Sequence, residues 1–211
     1  MPKWLHVGAG SGPTTVNSPP AVDSLLGALE ALMTAMKSAD VPVVVVGGVA
    51  VALLGRPRFT RDIDVLVELE ESRWPTILEA GRALGIGARI DHPLEFARRS
   101  RVLLLRHEPS QIDIDVILGG LPFERATVAS GQLRSLGGFS VRLPQAEDLM
   151  IMKAIAQRPQ DLLDLEGLIA THTEANLSRV RQSVAEFSVA ATMPSLLEEF
   201  DRVVARVQRP R

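Results

Sequence analysis

Val43 to Glu68, VVVVGGVAVALLGRPRFTRDIDVLVE, is the stretch whose reading decides the fold. Val43 to Val46 are β-branched with no polar member, which predicts a strand covered on both faces. Gly47 and Gly48 let the backbone turn sharply and leave room for a ligand to approach. Val49 to Leu54 read as a short apolar helix whose free N–H groups point back at that turn, a natural seat for a phosphate. Beyond a turn at Arg56-Pro57-Arg58, Thr60 to Val67 read as a second strand. There Asp62 and Asp64 alternate with Ile63, Val65 and Val67, so both carboxylates lie on one face and the aliphatics on the other.

Two carboxylates on an otherwise apolar strand need a partner, because like charges repel and burial strips their hydration. With oxygen donors and neither Cys nor His nearby, a hard cation such as Mg2+ fits, taking one or two carboxylates together with substrate phosphates. The ordinary alternative is that Asp62 caps the strand and Asp64 pairs with Arg58 or Arg61. The position after a strand, two glycines and a helix favours the cation.

Upstream, residues 1–20 are rich in Gly, Pro, Ser and Thr and lack periodicity, as in a flexible arm with Trp4 and Leu5 as its points of attachment. Leu25, Leu26, Leu29, Leu32 and Met33 predict an amphipathic helix over Ala21 to Lys37. Downstream, helices are expected over Glu71 to Leu84 and Pro93 to Arg99. Arg101 to Arg106 and Gln111 to Leu118 predict an antiparallel hairpin turned at Glu108-Pro109-Ser110. Its second arm, QIDIDVIL, repeats the pattern of the Asp62 strand and sets Asp113 and Asp115 on one face.

A helix over Phe123 to Ser130 and a hairpin around Gly137-Gly138 come next. From Gln145 the composition turns helical, with helices near Gln145 to Ala156, Pro159 to His172, Glu174 to Ser188 and Pro194 to Val207. The expected fold class is α+β. An arm over 1–20 leads into a mixed β-sheet flanked by helices over 21–143, and a C-terminal helical region covers 144–211.

Composition excludes several classes. At 211 residues, 46% hydrophobic and 23% charged, the chain suits a globular protein of one or two domains. A net charge of -2 argues against a protein that coats nucleic acid non-specifically. Zero cysteines exclude disulfides and thiolate metal sites. No apolar run reaches the roughly 20 residues that span a bilayer, and the start lacks the order of a signal peptide, so a cytoplasmic location is expected.

Gly47-Gly48, Asp62-x-Asp64 and the Arg58-x-Thr60-x pattern before it resemble the polymerase β-like nucleotidyltransferases, most closely the AbiEii-type toxins and related minimal nucleotidyltransferases. The resemblance covers residues 40–170. It implies the nucleotidyltransferase fold and transfer of an NMP from an NTP, ATP included, to a hydroxyl. A tRNA end is the implied acceptor and an antitoxin protein the implied partner. Two Mg2+ ions would be held by Asp62, Asp64 and a third carboxylate on a neighbouring strand. Asp113 and Asp115 both qualify. Asp115 is favoured because Val116 to Arg125, VILGGLPFER, resembles the segment after that position in related chains. Asp115 would then orient or deprotonate the acceptor hydroxyl, while Gly47, Gly48, Thr60 and Arg61 contact the nucleotide. The alternative is that Asp113 and Asp115 pair with Arg101 or Arg106 across the hairpin.

The segment Glu147 to Leu165 resembles the family's lysine on one helix followed by Arg-x-x-Asp-x-x-Asp opening the next. Lys153 would be a point charge on the triphosphate. Asp161, in the first helical turn after Pro159, would hold Lys153 or take part in deprotonating the acceptor, and Asp164 would pair with Arg158. A plain helix corner held by ion pairs is the alternative. Gly48 stands where many relatives carry serine, which removes a hydroxyl near the γ-phosphate and bears on nucleotide preference. Arg56, Arg58 and Arg61 are further candidates for phosphates or RNA. His107 after Arg101 resembles a HEPN ribonuclease motif, but that motif needs a helix where Val102 to Leu105 read as strand. Two other functions fit the same pattern: adenylylation of a small molecule, as in aminoglycoside-modifying relatives, and a non-catalytic nucleotide-binding module. The dry acidic cluster argues against the second.

Overall fold

The structure, a computed structural model, describes residues 22–209. The expected arm over 1–20, with Trp4, Leu5 and His6, lies outside them. Five strands form one mixed sheet: β1 (Val43–Val46), β2 (Asp62–Val67), β3 (Ile86–Ala88), β4 (Val102–His107) and β5 (Ile112–Leu118), in the order β1-β2-β5-β4-β3. Every neighbouring pair is antiparallel except β2 and β5, which run parallel. That pairing sets the two DID motifs side by side, Asp62 opposite Asp113 and Asp64 opposite Asp115. Registered residues of paired strands share a face, so four carboxylates occupy one side of the sheet. Ile63, Val65, Ile114 and Val116 go to the other side and are fully buried.

Helix α1 (Val22–Ser38) packs on β2 and β5 and on α3 (Trp74–Arg82), and α4 (Pro93–Ser100) packs on β4. A 3-10 turn over Glu71–Arg73 opens α3, so the helix predicted from Glu71 begins as the tighter form. Helix α5 (Pro122–Ala129) comes after β5, with Glu124 accepting from the N–H groups of Gly120 and Leu121 at 2.7 and 2.9 Å. The second hairpin, β6 (Gln132–Leu136) and β7 (Phe139–Leu143), forms a separate two-stranded ribbon, and β7 packs beside β1.

Helices α6 (Ala146–Ala156), α7 (Pro159–Thr171), α8 (Leu177–Ala191) and α9 (Ser195–Val207) complete the described chain. Asp148 through Ile155 of α6 are all buried, because α7, α8, α9 and α2 (Gly47–Leu54) surround that helix. One apolar interior runs from the sheet into these helices. Among the described residues no helix is long and apolar enough to cross a membrane.

Two further departures from the sequence reading concern α2 and β3. Helix α2 takes in both glycines instead of starting at Val49. Strand β3 has no counterpart in the sequence pattern: three residues with a glycine in the middle are too short to show a period of two.

Candidate functional site

Strand β1 ends and α2 begins at the same point, directly above Asp64. Gly47 holds φ at +61°, and a Cβ on it would stand 1.9 Å from Asp64 Oδ2. A Cβ on Gly48 would stand 2.5 Å from Thr60 Oγ1. The glycine pair therefore admits two polar side chains to the start of α2. Gly47→Ala is expected to destabilise the fold by about 1–3 kcal/mol, through the left-handed backbone and the displaced carboxylate. A thermal melt matching the parent protein would show that Asp64 has room to move.

Asp62 sits at the exposed start of β2, where Thr60 Oγ1 donates to its Oδ1 at 2.7 Å. Arg61 is exposed beside it. Asp64 takes no salt bridge from Arg58 or Arg61 among the described residues. Arg58 instead forms a two-pronged pair with Asp164, Nε and Nη2 reaching its oxygens at 2.9 and 3.0 Å. Burial, with the charges of Asp62 and Asp115 added, pushes the Asp64 carboxyl up to about 7, against the opposing pull of Lys153 and Arg158.

The corner between α6 and α7 faces this carboxylate. Lys153, 5% exposed, sends Nζ to Asp161 Oδ1 at 2.8 Å and to Asp164 Oδ2 at 2.9 Å. Asp161 also caps α7, accepting from the Arg158 N–H at 3.2 Å and from Arg158 Nε at 2.6 Å. The expected pairing of Asp164 with Arg158 is thus replaced. Asp161, three residues on, lies within reach of Arg158, while Asp164 turns to Arg58 and Lys153, with Gln160 Nε2 donating to it at 2.9 Å. Burial alone would raise the Asp164 pKa, but these donors hold it below the usual carboxylate value.

Between β2 and the corner lies a cleft of about 190 Å³ lined by Gly48, Asp62, Asp64, Lys153, Arg158 and Asp161, among others. A second, more apolar hollow adjoins it, floored by Leu66, Ile117, Leu149 and Met152.

Asp115 and Asp113 stand on the same face, one strand over. Asp113 Oδ1 accepts from Arg106 Nε at 2.7 Å, as the hairpin alternative expected. Arg101 takes no part. Its guanidinium donates to the carbonyls of Leu118 and Gly119 and lies over the Trp74 ring, 5.2 Å from the centroid. The residue that sequence reasoning missed is Arg89, which pairs with Asp113 at 2.7 Å and with Asp115. Burial outweighs Arg89 and, with the charges of Asp62 and Asp113, lifts the Asp115 carboxyl to about 6. Among the described residues, no three His, Cys, Asp or Glu side chains converge tightly enough to form a metal centre by themselves. His107 lies on β4, outside any helix, and its ring contacts Ser110 Oγ at 2.7 Å.

A family model described as "Nucleotidyl transferase AbiEii toxin, Type IV TA system" matches residues 30–208. No curated protein matches the chain. Among solved structures, the solution structure of the antibiotic-resistance factor ANT(2'')-Ia is similar at a TM-score of 0.57 and 15% identity, covering 82% of this chain and 96% of that one. Its crystal structure in complex with adenylyl-2''-tobramycin gives 0.56 and 16%, covering 80% and 98%. An antigenic nucleotidyltransferase-like protein from Paracoccidioides brasiliensis gives 0.50 and 14%, covering 87% and 95%. At such identities the likeness is one of fold. The family match spans most of the chain, which therefore belongs to the AbiEii nucleotidyl transferase toxins of type IV toxin–antitoxin systems and is a nucleotidyltransferase.

Proposed function

We propose that this nucleotidyltransferase moves an NMP from an NTP to a hydroxyl at a tRNA end, with Mg2+ in the cleft, as a toxin countered by an antitoxin protein. The observation that carries the reading is the opposition of Asp62 and Asp64 on β2 to Lys153 and Arg158 across the opening at Gly47-Gly48. A triphosphate carries charge that both sides can take up, directly on the cationic side and through cations on the acidic side.

The residues fit Mg2+. The donors are carboxylate oxygens alone, and Asp64 is crowded by two like charges that a divalent ion would offset. Asp62 and Asp64 would hold the ions, with Asp115 as the third carboxylate. When bound, such ions activate the attacking hydroxyl and stabilise the leaving pyrophosphate. The chain's own part is positional. Gly47 and Gly48 offer N–H groups at the first turn of α2 to the phosphates. Lys153, fixed by two carboxylates, presents its charge to them from a single direction. Thr60 orients Asp62. Both oxygens of Asp161 already accept from cations, which favours positioning Lys153 over deprotonating the acceptor.

Incubation with each labelled NTP, Mg2+ and total tRNA tests the proposal, and label on RNA is expected. Label only on an added aminoglycoside would move the acceptor to the small molecules bound by ANT(2'')-Ia. No transfer, with the melting temperature unmoved by NTP and Mg2+, would leave a non-catalytic module.

Ion binding should also depend on pH. The Asp64 carboxyl titrates at about 7 without a cation, so below that pH an ion must displace a proton. Divalent affinity is expected to climb up to tenfold per pH unit between about 5.5 and 7 and then level off. Calorimetry in two buffers of different ionisation enthalpy measures the released proton. A flat affinity from about pH 5.5 to 8 counts against Asp64 as a ligand.

A further inference from the structure

The proposed third carboxylate, Asp115, has one of its two oxygens taken by an arginine. Arg89 comes directly after β3, and its backbone N–H donates to Leu104 O at 2.9 Å, extending the ladder by one residue. Leu104 lies opposite Asp115. Arg89 is therefore carried onto the acidic face, one strand beyond Leu104. Its two terminal nitrogens are divided between two carboxylates: Nη1 takes Asp113 Oδ2 at 2.7 Å and Nη2 takes Asp115 Oδ1. Asp113 has a second cation, Arg106. Asp115 has no other ion pair among the described residues. The third nitrogen, Arg89 Nε, is buried with no hydrogen-bond partner. A guanidinium spread over two acids with one N–H left unmet is held by charge more than by fit.

We propose that Arg89 is a positioning residue that occupies Asp115 in the nucleotide-free enzyme, tethered by Asp113, which Arg106 holds from the other side, and gives Asp115 up when a divalent ion binds. The tether explains why two acids and two arginines meet here. If Nη2 releases Asp115, Nη1 keeps Asp113, so the guanidinium need only pivot and stays on the sheet. Asp113 thereby has a task distinct from ion binding. The inference rests on Asp115 being the third ion-holding carboxylate.

The test is Mn2+ binding to the full chain with a non-hydrolysable NTP analogue, read by electron paramagnetic resonance of free Mn2+. Arg89→Gln removes the competing charge and is expected to tighten Mn2+ binding about tenfold, a change of about 1.4 kcal/mol. The gain should vanish in Arg89→Gln combined with Asp115→Asn. Arg89→Lys, whose single ammonium cannot hold both acids in the same fork, should give a smaller gain and carries the test if Arg89→Gln does not fold. Unchanged or weaker Mn2+ binding in the folded variants, while the parent binds Mn2+ and Asp64→Asn does not, overturns the role of Arg89 alone. No Mn2+ binding by the parent with nucleotide overturns the metal reading of the cleft, and this inference with it.

Discussion

Asp64→Asn is expected to raise the melting temperature of the nucleotide-free protein while lowering nucleotidyl transfer by about three orders of magnitude or more. The two effects share one cause. Asp64 is surrounded by burial and by the charges of Asp62 and Asp115, which push its carboxyl to about 7. An ionised group that folding disfavours destabilises the native state, and the amide removes that burden at nearly constant shape. About 1–2 kcal/mol of stabilisation is expected at pH 8, part of what the displaced pKa would give, since the amide must itself be solvated. For a chain of this size that raises the melting temperature by roughly 2–8 °C.

The sign depends on pH. A carboxyl whose native pKa lies above its unfolded value of 3.8 destabilises most at high pH. As pH falls through about 7 the native group takes up a proton, so the advantage of asparagine shrinks steadily and disappears near 4. Melts of both proteins from about pH 4.5 to 8.5 trace this directly. Equal melting temperatures at pH 8, or transfer at the normal rate, would falsify the assignment of Asp64 as the crowded ion-holding acid.

Lys153→Met is expected to act in the opposite direction on stability and the same direction on activity. Its ammonium is the charge shared between Asp161 and Asp164, which are 2% and 4% exposed. Removing one partner of a buried pair leaves the other uncompensated, at a cost of about 3–5 kcal/mol. Here each acid keeps an arginine, Arg158 on Asp161 and Arg58 on Asp164, so the lower end of that range is expected. That corresponds to a fall of roughly 6–12 °C in melting temperature. Transfer should drop at least about a hundredfold with the loss of a charge placed at the phosphates. Urea melts and steady-state kinetics on the same preparation separate the two effects. A normal melt with lost transfer would mean that Lys153 acts on the nucleotide and does not hold the corner. Arg58→Leu should reproduce part of the destabilisation from the other side, since it removes one of the two cations on the same Asp164.

Much of the fold is legible because it rests on local pattern. The run Val43 to Val46, the glycine pair and the alternation in DIDVLV each fix one element from neighbouring residues alone. The second DID motif predicts a second strand of the same kind, and the parallel register of β2 and β5 sets the two copies in line. The Lys153 and Asp161 contact is legible too, since both flank a helix corner marked by Pro159. What escapes is the choice of ionic partner. Arg58 meets Asp164 across 106 residues of chain, and nothing in the nearby sequence favours Asp164 over Asp64. Arg89 sits just beyond a three-residue edge strand with no periodic signal. The only hint is stoichiometric: Asp113 and Asp115 need cations, and Arg101, the first candidate, is taken up by Trp74 and two carbonyls.

The parallel pairing of β2 with β5 has a bearing on synthesis. Those strands are joined only after α3, β3, α4 and β4 have been laid down between them, and Lys153 arrives later still, on α6. Contacts between distant segments close slowly and late. A ribosome that has translated as far as β2 carries a carboxylate pair with nothing facing it. The acidic and cationic sides of the cleft can meet only once α6 and the start of α7 have left the exit tunnel.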